Sequence, residues 1–171
     1  LYGNPLFVDY FTNLIDGKND EYVVVSPDVG SVSRARMFAL SLGLGLAIVD
    51  KRREKANQSE VMNIIGNVSG KKVILLDDMV DTAGSLCGAA NALVEKGGAV
   101  AAYACASHGV LSGPAIERIN SSHISELVLL DTIPFPEGQE CSKIKYISSA
   151  ELFADAIERV YEEISISNLF M

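Results

Sequence analysis

Val73-Ile74-Leu75-Leu76-Asp77-Asp78-Met79-Val80-Asp81-Thr82-Ala83-Gly84-Ser85 is the stretch on which the fold turns. Val73 to Leu76 are β-branched or leucine, and such a run reads as a short strand buried on both faces of a sheet. It ends on two carboxylates. Asp81–Ser85 follows as a turn of small residues that opens a helix. Exposed amides at that helix start, with Gly84 allowing close approach, make an anion site. Three aspartates beside an anion site are reconciled by a ligand that carries a phosphate for the amides and a diol for the carboxylates. A sugar phosphate carries both. The bland alternative is an ordinary strand ending in polar residues, with Asp81 or Thr82 as an N-cap.

The 171 residues suit one domain, and 49% hydrophobic content with 21% charged residues is globular in character. A formal charge of −8 argues against a nucleic-acid partner or an anionic membrane surface. No apolar run approaches the roughly 18 residues of a membrane span. Cys87, Cys105 and Cys141 are an odd number without metal-like spacing, which favours reduced thiols and a cytoplasmic setting. The first residue is Leu1, with no signal peptide ahead of it, so the chain is expected to start within something longer.

Leu6, Phe7, Tyr10, Phe11 and Leu14 recur at helical spacing, predicting an amphipathic helix that ends near Gly17. Tyr22–Val25 is the first predicted strand, Ser26–Ser33 a turn and Arg34–Leu42 a helix, broken by Gly43 and Gly45. Leu46–Val49 is a strand, Asp50–Gln58 a long exposed loop, and Val61–Ile65 an extended segment of ambiguous period. Lys71–Asp77 is the strand quoted first, with Ser85–Lys96 the helix after it, stopped by Gly97-Gly98. Ala101–Ala106, Leu127–Leu130 and Lys143–Ile147 complete the strands, and a short helix from Pro114 runs through Asn120. Ser148-Ser149-Ala150-Glu151 offers a capping box for a last helix through about Ile164. Alternating strands and helices predict a single α/β domain, a mainly parallel sheet flanked by helices.

In such a sheet, ligands sit beyond the carboxyl ends of the strands. Three loops leave those ends: Pro27–Ser33, Lys51–Gln58 and Asp77–Ser85. Pro27-Asp28-Val29-Gly30 is either a plain turn or a second amide cradle, with Asp28 placed to hold a divalent cation alongside substrate phosphates. Lys51-Arg52-Arg53 is either a solvated charge run or a set of cations aimed at a transferring phosphoryl group. His108 and His123 belong to no metal-spaced cluster. Neither a Walker A sequence nor a G-x-G-x-x-G fingerprint is present.

The thirteen residues from Val73 to Ser85 resemble the phosphoribosyl-binding loop of type I phosphoribosyltransferases and ribose-phosphate pyrophosphokinases. The wider pattern resembles the second family. It comprises Val25-Ser26-Pro27-Asp28, Asp50-Lys51-Arg52-Arg53, Glu60–Gly66, Asp77–Ser85, His108, Leu111–Arg118 and Asp131-Thr132-Ile133-Pro134, in order, from about Pro5 to Phe170. This resemblance implies a type I phosphoribosyltransferase-like fold and transfer of a pyrophosphoryl group from ATP to the anomeric hydroxyl of ribose 5-phosphate, with Mg2+. It implies that Asp77 and Asp78 hold the ribose diol, while Asp81, Thr82, Ala83, Gly84 and Ser85 cradle the 5-phosphate. It makes Asp28, Val29, Gly30 and Ser31 a pyrophosphate loop, with Asp28 a magnesium ligand, and assigns Lys51 and Arg53 to the transferred group. Ser165, Ser167 and Phe170 match a C-terminal motif that contributes to a regulatory phosphate or ADP site between subunits of a homo-oligomer.

Two residues depart from the family pattern. Ser31 stands where a second glycine is usual, and a loop needing positive φ there would be strained by serine and relieved by glycine. Ser85 replaces a threonine and keeps the hydroxyl. Family chains are about twice this length, so the chain is expected to be their C-terminal half, without the N-terminal half that supplies much of the ATP pocket. Competing readings are a non-catalytic regulatory paralogue, a phosphoribosyltransferase that consumes the activated sugar, and a binding module without chemistry.

Overall fold

Tyr22–Ser26 forms strand β1, and all five of its residues are buried, as a strand covered on both faces requires. The computed structural model of the chain describes residues 1–52 and 61–170. Six further strands join β1: β2 Gly45–Arg52, β3 Val61–Ile65, β4 Lys72–Val80, β5 Ala101–Gly109, β6 Ile124–Leu130 and β7 Ile144–Ile147. They form one sheet in the order β3-β2-β1-β4-β5-β6-β7. Only the β2–β3 pair is antiparallel; every other neighbour runs parallel. The chain leaves β1 toward β2 and later returns to the other side of β1 as β4. That reversal opens a crevice at the carboxyl ends of β1 and β4, where open α/β sheets bind ligands.

Helices α1 (Asn4–Ile15) and α2 (Val32–Leu42) cover one face, packing Phe7, Phe11, Ile15, Ala35, Phe38 and Leu42 on Val24, Ile74 and Leu76. The Phe11 and Phe38 rings meet edge to face at 5.9 Å, fixing one helix to the other. Helices α3 (Gly84–Glu95) and α4 (Ala115–Ser121) cover the opposite face, where Leu86, Ala90, Leu93 and Ile119 pack on Val23, Val73 and Leu75. The alternation of Val73 and Leu75 with Ile74 and Leu76 thus feeds two cores from one strand. A Cβ on Gly97 would stand 2.6 Å from the Leu93 carbonyl oxygen, so only glycine fits where α3 stops. Lys143 closes the far end of α4, its ammonium donating to the carbonyls of Ile119, Asn120 and Ser122 at 3.2, 3.0 and 2.8 Å.

The expected elements are all present, with corrections to their bounds and to one cap. Asp50, Lys51 and Arg52, expected in an exposed loop, belong to β2, because the ladder to β3 continues through Arg52↔Val61. The rest of that expected loop, 53–58, lies outside the described residues. Strand β4 does not stop at Asp77: pairing with β5 carries it through Met79↔His108 and Val80↔Gly109, so both carboxylates sit on the strand itself. Strands β5 and β6 likewise outrun their apolar runs, to Gly109 and back to Ile124. The predicted capping box is not formed. Ser148 and Ser149 turn instead to Asp131, which accepts from both hydroxyls (2.8 and 2.6 Å) and from the Ser149 amide (2.7 Å). The last helix, α5, spans Ala150–Tyr161 and ends before Ile164.

Candidate functional site

The loop after β1 is built from its own residues. The Ser26 hydroxyl, fully buried, donates to the Asp28 carbonyl at 2.7 Å. Asp28 Oδ1 accepts the Ser31 amide at 2.8 Å, the side-chain-to-backbone bond that makes aspartate a turn residue. Val29 and Gly30 stand exposed between them. Ser31 is buried and precedes α2 with φ −89° and ψ −1°. Serine adopts those angles freely, so the strain expected at this position is absent. Of the expected pyrophosphate loop, the Ser31 amide is therefore already engaged by Asp28.

One strand over, β4 delivers the two carboxylates. Asp78 Oδ2 pairs with Arg34 Nη1 at 2.7 Å, and Arg34 Nη2 also donates to the Ser31 hydroxyl at 3.3 Å. Arginine thus ties the two loops together. The Asp78 amide donates to Asp77 Oδ1 at 2.9 Å. Burial pushes the Asp77 carboxyl up to about 6, with the Asp78 and Asp28 charges adding to the rise against the Asp78 amide bond. Arg34 holds Asp78 below its ordinary value. The pair is therefore split, with one carboxylate kept ionised and its neighbour able to carry a proton near neutrality. Both border a cavity of about 580 Å3 that also reaches Asn4, Phe7, Arg34 and His108. His108 Nδ1 lies 2.9 Å from the Thr132 hydroxyl, which donates its only proton to the Ser107 carbonyl at 2.8 Å. The ring must then donate from Nδ1, which leaves Nε2 of neutral His108 as an acceptor.

The turn from β4 into α3 carries Asp81, Thr82, Ala83, Gly84 and Ser85 together, as expected, but neither Asp81 nor Thr82 caps the helix. Ala83 precedes the helix in the left-handed region, φ 58°, with no side-chain cap on the first turn. A helix start without a side-chain cap turns its backbone amides toward an anion. Residues 30 or more positions away hold this turn. The Ser112 hydroxyl donates to Asp81 Oδ1, the Ser112 amide donates to the Asp81 carbonyl at 3.0 Å, and Arg118 Nη1 donates to the Thr82 carbonyl at 2.9 Å.

Arg34, Ser112 and Arg118 received no role in the sequence reading. Arg34 had a readable signal, since it stands three residues beyond Ser31 on the helix leaving the loop. Ser112 and Arg118 had none beyond membership of a recognisable motif. Lys51 lies on β2 opposite Met62, in the hairpin beside β1, and Arg53 lies outside the described residues. The Ser165 and Ser167 hydroxyls meet at 2.8 Å, and Phe170 ends the turn Ser167–Phe170. That segment follows α5, which leaves the edge strand β7, and among the described residues it makes no hydrogen bond to the loops of β1 and β4. No three His, Cys, Asp or Glu side chains converge as a metal cage among the described residues.

Residues 51–171 match the family described as the phosphoribosyl synthetase-associated domain. The chain is 59% identical over 170 residues to the ribose-phosphate pyrophosphokinase of Caldanaerobacter subterraneus subsp. tengcongensis, covering 99% of this chain and 53% of that protein. It thus spans about half the length of the curated relatives it matches. The phosphoribosylpyrophosphate synthetase of Mycobacterium smegmatis superposes with a TM-score of 0.82 at 36% identity, over 94% of this chain and 51% of that one. The adenine phosphoribosyltransferase of Trypanosoma brucei shares the fold, with a TM-score of 0.53 at 14% identity over 86% of this chain and 64% of that one. The α/β fold with a type I phosphoribosyltransferase-like sheet, the two aspartate-bearing loops at its switch point and these matches agree: the chain belongs to the phosphoribosyl synthetase-associated domain family.

Proposed function

We propose that this chain is the C-terminal half of a ribose-phosphate pyrophosphokinase and supplies its pentose-phosphate site. The observation that carries the reading is the meeting, at one switch point, of the Asp77-Asp78 pair, the uncapped start of α3 and the Asp28 loop. Asp78, kept ionised by Arg34, accepts a hydrogen bond from a ribose hydroxyl, and Asp77 serves the neighbouring hydroxyl. The amides from Asp81 to Ser85 hold the 5-phosphate. The anomeric hydroxyl then faces the β1 loop, where Val29 and Gly30 border the pyrophosphoryl group being transferred from ATP. Asp28 has one carboxylate oxygen engaged by the Ser31 amide, which leaves Oδ2 for a cation. A magnesium ion held there together with substrate phosphates suits that ion's preference for few protein ligands, and it would neutralise phosphate charge. Lys51, on β2 beside β1, and Arg53 stabilise charge developing on the transferred group.

In the whole enzyme, Ser165, Ser167 and Phe170 belong to a regulatory phosphate or ADP site in a homo-oligomer. Helix α5 supports an assembled state, since it has no buried residue and leaves Phe153, Ile157, Val160 and Tyr161 exposed at helical spacing.

Calorimetry of the 171-residue chain with ribose 5-phosphate, and with ribose as a control for the phosphate, tests the site. AMP release on adding ATP and ribose 5-phosphate tests the split. Binding of the sugar phosphate without turnover is expected of the chain alone, and turnover of the full-length protein. Steady AMP release by the chain alone would overturn the division of the active site between two halves.

A further inference from the structure

The cradle from Asp81 to Ser85 contains no cation, yet it is read as the seat of a dianionic phosphate among three aspartates. Amides at one helix start, worth about half a charge, oppose them. Among the described residues, the positive group in contact with the turn comes from α4. Arg118 Nη1 donates to the Thr82 carbonyl at 2.9 Å, and a Cβ on Gly84 would stand 3.3 Å from that same nitrogen. The guanidinium therefore lies against both residues that flank left-handed Ala83. Among the described residues Arg118 makes no ion pair, and one bond accounts for one of its five donors. It is exposed, so an incoming anion can reach it.

The helix that carries it is well anchored. Ile116 and Ile119 bury α4 in the core, and Lys143 closes its last carbonyls. Ahead of it, Ser112 clasps Asp81 by side chain and backbone, and the Leu111 amide donates to the Val80 carbonyl at 3.0 Å. Leu111 at φ 53° and Ala83 at φ 58° are both left-handed residues with a Cβ, and they stand in the two segments that clasp each other. Such angles persist only where the surroundings hold them.

We infer that Arg118 is a further residue of the phosphate site: it positions the Asp81–Ser85 turn through the Thr82 carbonyl and brings the cation that the turn lacks. Gly84 keeps the space its guanidinium needs. The inference rests on the pentose-phosphate reading above for its ligand but not for its positioning role.

Three variants of the 171-residue chain separate the parts: Arg118→Ala, Arg118→Gln and Arg118→Lys. Ribose 5-phosphate affinity is read by calorimetry, and amide hydrogen exchange is read at Cys87 and Ser112, whose amides donate to the Ala83 and Asp81 carbonyls at 3.0 Å. Losing a charge-assisted contact is expected to weaken Arg118→Ala by about ten- to hundredfold in affinity. Its Cys87 and Ser112 exchange should quicken by about tenfold, the same scale of contact, while strand amides of β6 stay unchanged. Arg118→Gln keeps a donor without the charge and should restore slow exchange but not affinity; Arg118→Lys should recover part of the affinity. Wild-type binding that Arg118→Ala leaves intact overturns the cationic role, and unaltered exchange at both amides overturns the positioning role. If no form binds ribose 5-phosphate, the pentose-phosphate reading and the cationic role fail together, and exchange alone decides positioning.

Discussion

The two loops at the switch point are built on opposite plans. The loop after β1 is held by itself, since Asp28 bonds to both Ser26 and Ser31 within a span of six residues. The turn after β4 is held from a distance, by Ser112 and Arg118, 31 and 36 positions away from their partners Asp81 and Thr82. A self-held loop can keep its shape whatever its surroundings do. A remotely held one takes its shape from the packing of α4, so a change on that helix reaches the phosphate cradle without touching it. Arg34 links the two sides, with one nitrogen on the Asp78 carboxylate and the other on the Ser31 hydroxyl.

The sharpest test of this contrast compares a cut in each loop. Asp28→Ala removes a carboxylate that accepts a backbone amide, and hydrogen bonds to charged groups are worth about 1.5–3 kcal/mol. The change in hydrogen exchange should stay within the first turn of α2 and the loop itself. Ser112→Ala removes a hydroxyl that donates to the Asp81 carboxylate, a bond in the same range, and its effect should spread to both clasped segments, 80–84 and 111–115. Thermal unfolding gives the two costs and exchange gives their reach. Finding the reach of Asp28→Ala wider than that of Ser112→Ala would dissolve the distinction.

The same contrast explains what the sequence disclosed. Strand β4 was legible because Val73–Leu76 is apolar on both faces, and its loop chemistry because Asp77, Asp78 and Asp81–Ser85 are contiguous. The fold class followed from strands alternating with helices. The ends of the strands were not legible, because the ladder to β5 holds Asp77 and Asp78 extended against their low strand preference. Asp131 was equally hidden. Its two serine partners look like a helix cap in sequence and prove to be a clasp across the sheet edge. Arg118 shows the limit most plainly, since nothing local marks an arginine on a short helix as a neighbour of Thr82. Contacts between segments far apart in sequence leave no periodic trace in either one.

A smaller effect concerns the carboxylate pair, where the β1 loop acts on the β4 strand through charge. The folded-state value of Asp77 is raised from 3.8 to about 6, chiefly by burial. The folded protein therefore holds that proton more tightly than the unfolded chain. The contribution favours folding below the unfolded value and is lost as pH rises through about 6. Asp78 runs the other way: its value is lowered by Arg34, so its contribution is present above the unfolded value and lost as pH falls. Asp77→Asn keeps an oxygen for the Asp78 amide and removes the titration. Its melting temperature relative to wild type should be more favourable at pH 7.5 than at pH 4.5, the two sides of the folded value. An equal difference at both pH values would mean that Asp77 is as solvated as an ordinary aspartate and that Asp28 and Asp78 do not reach it.

The smallest expected effect falls on Ser31, where the sequence suggested strain. A glycine at this point of the loop would be needed if the backbone turned left-handed. It does not: φ is −89° and ψ −1°, ordinary right-handed angles for a residue that enters a helix. Ser31→Gly therefore relieves nothing in the folded state. It does free the unfolded chain, which has more conformations to lose with glycine, a cost of about 0.5–1 kcal/mol in a helical setting. It also removes the hydroxyl that accepts from Arg34 Nη2 at 3.3 Å, a long bond between partly exposed groups that adds little. The amide that Asp28 accepts is unchanged by the substitution, so the self-held loop keeps its central bond. Thermal unfolding should show Ser31→Gly slightly less stable than wild type. A gain in stability would mean that the loop does strain against its serine, and that the β1 loop is not the self-sufficient turn its hydrogen bonds describe.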